Sequence, residues 1–248
     1  MLTTDHIRDL VFGDKGHVRR RLVTLHRLAV LDRFRPHRET GSAPYHYVLG
    51  PMGATVLAAH QGIDLTDLGY RRDKALAIAH NQRLDHLVGV NSFFAALASH
   101  ARRRPDTALV HWWSERRCAA SWGEIVRPDG YGHWREAGTD VDFFLEYDRG
   151  TEPLARLVDK LDGYTDLQTA TGVNTTWILF WLPGPRREAA LRKVLAAASV
   201  PIATTHAVSG HTPADAVWLP VKEARSARLR LAGLSGLDRG QRRCHHQP

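Results

Sequence analysis

A predicted strand that ends in carboxylates and leads into an amphipathic helix constrains the fold of this chain more than any other stretch. Over residues 139–146 polar alternation gives way to an apolar run, which predicts a strand entering a hydrophobic core. Glu146 and Asp148 stand at its end. A helix is predicted next, with Thr151 as its cap and Pro153 in its first turn. Its apolar stripe, which faces the sheet, consists of Leu154, Leu157, Val158 and Leu161.

Two acidic residues form the centre of a candidate site in this region. Asp129 follows Pro128 in a predicted turn, and Glu146 ends the strand. Carboxylates at neighbouring strand ends repel each other unless a positive group lies between them, and a divalent cation is a common solution in phosphoryl-transfer sites. Asp129 and Glu146 are therefore candidate ligands of Mg²⁺, with Mn²⁺ as its substitute. The backbone carbonyl of Tyr147 would add a further oxygen of the kind that this hard cation prefers.

Lys160 completes the predicted catalytic set. It lies beside the apolar stripe, on a ridge with Leu157 and Tyr164, so its long side chain can bring the ammonium back toward the carboxylates. There it would orient a water molecule or stabilise charge on a scissile phosphate. The same residues allow a simpler interpretation, in which Asp129 is a turn residue, the strand-end acids are solvated and Lys160 only covers apolar surface.

The first part of the chain predicts two helices with a basic outer face. Thr3 or Thr4 can cap a short helix that ends at a glycine-containing turn over residues 13–16, and a second helix follows from about His17. Its predicted core positions are Val18, Leu22, Leu25 and Ala29, and its predicted outward positions are Arg19, Arg20, Arg21 and Arg27. This order is typical of a helix-turn-helix, which makes those arginines candidate DNA contacts.

A hairpin and a further helix are predicted after these two helices. The predicted elements are a strand at 30–35, a loop at 37–44, a return strand at 45–49 and a helix at 51–60. The hairpin is the expected wing of a winged helix, and Arg33 and Arg35 on it join the candidate DNA contacts. A winged helix normally has three helices before its wing, so either the later helix closes the core or an N-terminal helix is missing. The arginines can also form only a solvated face, and winged helices also bind proteins.

Ordered blocks in the middle of the sequence carry a family resemblance. They are Arg-Pro-Asp at 127–129, Phe-Phe-Leu-Glu-Tyr-Asp-Arg-Gly-Thr-Glu at 143–152, and Lys160-Leu161 with Tyr164. With these blocks the chain, from about residue 3 to about residue 205, resembles the replication-relaxation proteins of plasmids and other mobile elements. The resemblance implies a winged-helix DNA-binding region followed by a domain similar to the PD-(D/E)XK nucleases.

One departure from the nuclease motif affects the expected activity. The motif normally has its lysine two residues after the second acid, and Asp148 occupies that place here. The resemblance implies either that Lys160 on the next helix substitutes for it or that the domain binds DNA without cutting it. It also implies that Tyr164 and Asp148, together with His86 on an earlier helix, border the site.

The fold class expected from these observations is a combination of α+β and α/β, with an N-terminal winged helix followed by a mixed sheet flanked by helices. The predicted divisions are a winged-helix DNA-binding domain at 1–60, a linker at 61–72, a nuclease-like α/β domain at 73–222 and a basic, flexible tail at 223–248. Within the α/β domain the predictions are a helix at 73–100, a strand at 108–113 that extends toward Cys118 and carries Glu115, a loop at 130–138, strands at 175–182, 200–204 and 216–221, and a helix at 185–198.

The distribution of charge favours an anionic partner. The chain of 248 residues has a formal net charge of +8. Residues 1–38 carry nine Lys or Arg against four acids, and residues 221–248 carry seven against two, so each segment has a net charge of +5. Residues 124–152 carry eight acids against three arginines, a net charge of −5. Basic flanks around an acidic centre suit a polyanion held over a metal site, although arginine-rich composition by itself gives a similar total.

Other features of the sequence exclude several kinds of protein. Cys118 and Cys244 do not form a disulfide framework or a zinc-ligand pair. The sequence has no apolar stretch of membrane-spanning length and does not open on a signal peptide, so we expect a cytoplasmic protein without membrane association. It has no His-x-His element, which argues against a metal-dependent relaxase mechanism, and no P-loop or Gly-x-Ser-x-Gly elbow.

Two functions remain. The first is a DNA-binding protein of plasmid or mobile-element replication with metal-dependent nicking or nuclease activity at Asp129, Glu146 and Lys160. The second is a non-catalytic DNA-binding regulator or replication accessory protein whose nuclease-like domain is a scaffold. Asp148 at the usual lysine position favours the second, and the presence of two acids with a helix lysine favours the first. DNA is the expected partner in both, a homodimer is compatible with either, and the replication or transfer proteins that it meets are unknown.

Overall fold

The computed structural model describes residues 1–13, 15–37, 40–172, 175–222 and 227–237. The chain forms two compact units, Met1–Ala95 and Ala96–Pro248. Each unit has its own sheet, so each is described separately.

The first unit contains a small sheet with helices before and after its hairpin. Its elements up to the hairpin helix are β1 (Leu2–Thr3), α1 (Thr4–Ile7), a π-helical turn (Arg8–Phe12), α2 (Lys15–Arg27), β2 (Leu31–Phe34), β3 (His46–Leu49) and α3 (Pro51–Gln61). The sheet order is β1-β3-β2 with antiparallel pairing throughout. The predicted helices and the hairpin are therefore present.

Local capping and packing explain why these residues form the first unit. Thr3 caps α1, since its hydroxyl accepts a hydrogen bond from the His6 backbone amide while the His6 ring accepts one from the Thr3 amide. Val18 and Leu22 of α2 are buried together with Tyr47 of β3. Burying one face of α2 in this way leaves its arginines on the opposite face in water.

The residues predicted to be a linker are tied to the first unit. Tyr70 donates a hydrogen bond from its hydroxyl to the Leu49 carbonyl at 3.1 Å. Arg72, the first residue of α4 (Arg72–Ala77), makes two hydrogen bonds to the Asp32 carboxylate, at 2.7 and 3.1 Å. The helix predicted at 73–100 is divided into α4, a 3₁₀ turn (Ile78–His80) and α5 (Leu84–Arg102). The division between the two compact units falls after Ala95, within α5.

The second unit is built on a larger sheet. After α5 its elements are β4 (Thr107–Ser114), α6 (Glu115–Trp122), β5 (Gly130–Glu136), β6 (Thr139–Tyr147), α7 (Leu154–Thr171), β7 (Trp177–Leu182), α8 (Pro185–Leu195), β8 (Ile202–His206), β9 (Leu219–Pro220) and a 3₁₀ turn (Leu231–Leu234). In the described part of the chain the sheet has six strands in the order β4-β5-β6-β7-β8-β9. β6, β7 and β8 are parallel to one another, and the other pairs are antiparallel.

Helices α7 and α8 cover one face of this sheet. The buried side chains of α7, including Leu157, Leu161 and Leu167, share a core with Phe144 of β6 and Phe180 of β7. The predicted apolar stripe of α7 is therefore confirmed. Its predicted start is not: Pro153 lies at the N-cap position and no side chain makes a capping hydrogen bond, so Thr151 does not cap the helix.

The predicted loop at 130–138 is wrong, because residues 130–136 form β5. Gly132 lies opposite Phe143, and a Cβ at Gly132 would come within 2.3 Å of the phenyl ring. The glycines that resembled a loop therefore make room for an aromatic residue on the paired strand. Ala137 and Gly138, both with positive φ, form the turn to β6.

The first strand of the sheet ends earlier than predicted. β4 stops at Ser114, which is the N-cap of α6, so Glu115 and Cys118 lie on a helix and not on a strand. The backbone of Ser114 is extended, as at other N-cap positions, although its side chain makes no capping hydrogen bond. Two residues of helix α6, Arg117 and Trp122, contact Trp113.

The segment predicted to be a flexible tail is ordered where the structure describes it. Leu231 and Leu234 are fully buried, and the Arg228 guanidinium donates to both oxygens of the Glu188 carboxylate, at 3.0 and 2.6 Å. A buried carboxylate is costly without such a partner, which explains why residues 227–237 are held against the sheet. Residues 238–248, with Cys244, lie outside the described residues, as do 223–226. Among the described residues no helix is long and apolar enough to cross a bilayer.

Candidate active site

The register of β5 and β6 brings Asp129 and Glu146 to the same edge of the sheet. Gly130 pairs with Leu145, so Asp129 and Glu146 occupy the next positions on adjacent strands. The Asp129 amide donates to the Leu145 carbonyl at 3.1 Å, and the Asp129 carboxylate accepts from the Tyr147 amide at 2.8 Å. Asp129 therefore holds the backbone on both sides of Glu146. Both side chains are buried, with 4% and 1% of the residue surface exposed, respectively.

Helix α7 supplies both partners of the Glu146 carboxylate. The Lys160 ammonium donates to Oε2 and the Tyr164 hydroxyl donates to Oε1, each at 2.5 Å. Residues four apart lie on one face of a helix, so a single helix orientation aims both donors at the strand end. Gly163, between them, allows this approach, since a Cβ there would lie 2.7 Å from the Ile125 carbonyl oxygen.

The charges at this site are coupled. Burial raises the pKa of Glu146 to about 7, and the Asp129 charge adds to this rise, while Lys160 and Tyr164 oppose it. Burial lowers the pKa of Lys160, but the charges of Glu146 and Asp129 outweigh it, and the net change is upward. Burial and the Glu146 charge raise the pKa of Tyr164 well above its usual value. Lys160 and Tyr164 therefore keep their protons at neutral pH and act as donors.

Asp148 is held in a separate ion pair. It is buried, and its carboxylate accepts from Arg187 of α8 at 2.6 and 3.3 Å and from the Gly150 amide at 2.7 Å. The residue at the usual position of the nuclease lysine thus fixes the loop after β6 to α8. The sequence analysis missed Arg187 because 39 residues separate the partners and no local pattern joins them.

The other predicted residues lie in the first unit. His86 is on α5, in the part of that helix that belongs to the first unit, and its role at the border of the site stays a prediction. The helix arginines, Arg19, Arg20, Arg21 and Arg27, are exposed. Arg33 and Arg35 place their guanidinium carbons 4.2 and 4.0 Å from the centre of the Tyr45 ring. These cation–π contacts hold both side chains on the hairpin.

Asp129 and Glu146 are the residues at the strand ends that could hold Mg²⁺. Asp129 and Glu146 offer only oxygen atoms, on adjacent positions, beside a lysine that can balance charge. Within the described residues no group of three or more His, Cys, Asp or Glu side chains is arranged to hold a metal. Mg²⁺ is commonly bound by one or two carboxylates, with water and substrate phosphates as its other ligands, so two carboxylates are sufficient.

Comparison with known proteins places the chain in a family. No curated protein matches it. The family model for replication-relaxation proteins matches residues 1–176, which include both acids and Lys160 together with the whole first unit. The matched part is more than two thirds of the 248 residues. The protein therefore belongs to the replication-relaxation family, and this membership supports a role connected with the replication of plasmids or mobile elements.

Proposed function

We propose that this protein binds DNA through its first unit and hydrolyses a phosphodiester bond, with Mg²⁺, at the acidic edge of its second unit. The observation that carries the proposal is the convergence of Asp129, Glu146, Lys160 and Tyr164 at one edge of the sheet. Strongly shifted pKa values of buried carboxylates with a specific charge partner cluster at functional sites, and Glu146 has this combination. A cytoplasmic location is part of the same proposal, since plasmid DNA is found there.

The first unit supports DNA binding by a winged helix. Its order, β1-α1-α2-β2-β3, with β1 paired to β3, is the order of that fold after its first helix. The exposed arginines of α2 and the two on the hairpin lie where a recognition helix and a wing present their contacts. Their positive charge favours phosphate contacts regardless of DNA sequence.

The second unit supports a nuclease-like domain. From α5 onward the order is α5, β4, α6, β5, β6, α7 and β7. Apart from α6, which lies between the first two strands, this is a helix, a three-stranded antiparallel meander, a helix and a strand parallel to β6. This is the order expected from the resemblance to PD-(D/E)XK nucleases. Asp129 directly precedes the second strand of the meander and Glu146 is the last residue but one of the third, so both acids stand at one edge of this core.

Each residue of the site has a separate role in the proposed reaction. Asp129 and Glu146 would hold Mg²⁺, which when bound supplies a Lewis acid and an activated water. The Lys160 side chain is 35% exposed, so its ammonium can donate to a phosphate oxygen while it remains near Glu146. Tyr164 fixes the Glu146 carboxylate through its hydroxyl. Asp148 and Arg187 keep the loop after β6 in place.

Conversion of supercoiled plasmid to nicked or linear DNA tests the proposal. We expect the wild type to cut with Mg²⁺ or Mn²⁺ and not with EDTA. Glu146→Ala and Lys160→Ala should lose about 100-fold or more in rate, the usual cost of removing a charge-stabilising group. Both should still shift duplex DNA in a gel. Lys193→Ala, which removes an exposed lysine from α8, is the matched control. Full-rate cutting by Glu146→Ala would refute the site assignment.

A non-catalytic DNA-binding regulator is the second candidate, and a specific observation favours it. The place of the usual nuclease lysine is taken by Asp148, whose carboxylate is committed to Arg187, and both oxygens of Glu146 have protein donors. In that case the acidic edge is a structural network. Retained DNA binding with no cutting in either metal would select this function.

A further inference from the structure

Helix α6 forms an unexpected contact set with the end of β4. The Trp122 ring is stacked on the Trp113 ring, with centroids 5.2 Å apart and planes at 20°. The Arg117 guanidinium carbon lies 4.2 Å from the centre of the same Trp113 ring. Tyr131 of β5 contacts both tryptophans, at 5.0 and 5.8 Å. We call Trp113, Arg117 and Trp122 the Trp113 platform.

The Trp113 platform lies at the same edge of the sheet as the acidic site. Ser114 pairs with Gly130, the residue after Asp129, so α6 begins at that edge. Trp113 pairs with Tyr131, which pairs with Phe144, two residues before Glu146. Strand spacings of about 4.8 Å and a rise of about 3.3 Å per residue put the backbones of Trp113 and Glu146 roughly 12 Å apart.

The surface around the platform is basic. Arg116, Arg117 and Arg127 are exposed, and none of them has an ion pair within the described part of the chain. Arg127 donates to the Gly123 carbonyl at 3.2 Å, which fixes its side chain over the end of α6. Planar rings together with unpaired cations are the features by which proteins hold single-stranded nucleic acid. Packing accounts for the contact between Trp113 and Trp122, but it does not require an exposed arginine over the ring.

We propose that the Trp113 platform binds an unpaired nucleotide of single-stranded DNA, whose base stacks on the exposed Arg117 guanidinium that covers the Trp113 ring and whose phosphates meet Arg116 and Arg127. The strand would then run from the platform toward the acidic edge. This inference rests on the proposed function in two respects, namely the direction in which the strand runs and its cleavage at the acidic edge. Binding by the platform requires neither metal nor cutting, so it is tested separately.

The test compares two oligonucleotides of the same length, thymidine 12-mer and an abasic 12-mer with the same phosphates, by fluorescence anisotropy in EDTA. We expect the wild type to bind the thymidine strand at least about fivefold more tightly, as stacking of one base predicts. Arg117→Ala should lose this preference. Arg117→Lys, which keeps the charge without the planar group, should lose it too. Arg116→Ala, the neighbouring exposed arginine with no ring contact, should weaken both strands equally and keep the preference.

Each outcome decides the proposal. Equal affinity of the wild type for the two strands overturns it, as does an equal effect of Arg117→Ala and Arg116→Ala. Trp113→Phe provides a second variant: it should reduce the preference and leave circular dichroism unchanged. Plasmid cutting and duplex shifts, measured in parallel, report the proposed function independently. Plasmid cutting by a wild type that shows no preference for the thymidine strand would refute base binding by the Trp113 platform and support the proposed nuclease activity.

Discussion

At the scale of single residues, Glu146 determines what the acidic edge can do. Its carboxylate is buried beside Asp129, and its ionised form depends on two donors from α7. An ionised carboxylate is needed to hold a cation, whereas burial favours the protonated form. The pKa of about 7 places this competition near neutral pH, so activity should respond to small changes at the site.

Tyr164→Phe should move the acid limb of the pH–rate profile to higher pH. The Tyr164 hydroxyl donates to Glu146 and lowers its pKa, so removing that hydroxyl raises the pKa further. At a given pH below the plateau a smaller fraction of Glu146 is ionised, and the rate falls. The measurement is plasmid nicking from pH 5.5 to 9, about the range that brackets this titration. Tyr70→Phe, which removes a hydroxyl from the first unit, is the control, and an unshifted Tyr164→Phe profile would contradict the assigned role.

Asp148 occupies a position whose residue the nuclease motif does not predict correctly. The motif predicts a lysine there, and the carboxylate found instead is paired with Arg187 and buried. Its charge is therefore compensated without a metal. Removing Arg187 would leave a buried carboxylate without its cation, which is usually strongly destabilising.

At the scale of elements, α7 connects the sheet to the site. Its apolar stripe packs on β6 and β7. Near its middle the helix also lies close to the backbone at Ile125, and Gly163 makes this close approach possible because it has no side chain. The backbone carbonyl of Ile125 lies just before the turn that carries Asp129. The position of α7 therefore sets the distance between Lys160 and both acids.

Gly163→Ala should destabilise the second unit and reduce activity together. Ala in place of Gly in a helix is favourable by up to about 1 kcal/mol, whereas forcing a methyl group into a filled space costs typically 1–3 kcal/mol. The added Cβ would lie 2.7 Å from a backbone oxygen, so the clash should prevail. A lower Tm with slower cutting is the expected result. Gly184→Ala, which has no atom within 4 Å of its added Cβ, is the control, and a Gly163→Ala protein as stable as wild type would contradict this.

At the scale of the whole molecule, charge is divided between the ends and the centre of the chain. The basic N-terminal segment contains the exposed arginines of α2, while the acidic residues cluster on β5, β6 and the loop between Tyr147 and α7. The basic N-terminal segment can bind a long polyanion such as DNA. The acidic region around β5 and β6 repels a polyanion unless a cation is present. The proposed DNA binding and the proposed metal-dependent chemistry are therefore assigned to different units.

Arg20→Ala should weaken duplex binding and make it less sensitive to salt. Each phosphate contact contributes about −0.9 to the slope of log K against log salt, so loss of one contact should reduce the slope by about one. Binding to a duplex oligonucleotide at several salt concentrations measures it. Arg71→Ala is the control, since Arg71 is exposed but already paired with Asp73. An unchanged slope for Arg20→Ala would show that α2 is not the DNA-binding surface.

The sequence by itself determined the parts that depend on neighbouring residues. The strand ending at Glu146, the stripe of α7 and the reach of Lys160 follow from periods of two and 3.6 residues and from the length of a lysine side chain. The exposure of the α2 arginines follows from the same helical period. Family membership was also predictable, since the blocks that carry it are local in sequence.

The tertiary structure alone decided the features that join distant residues. Examples are β5 in place of a loop, Arg187 on Asp148, Arg228 on Glu188, and Arg117 on Trp113 at the end of α6. In each case the residue is stabilised by a partner from another strand, helix or segment, so its own sequence neighbours do not indicate the result. A glycine, an arginine or a buried acid has no fixed place until the fold supplies that partner, because the free energy of burying it depends on what it meets.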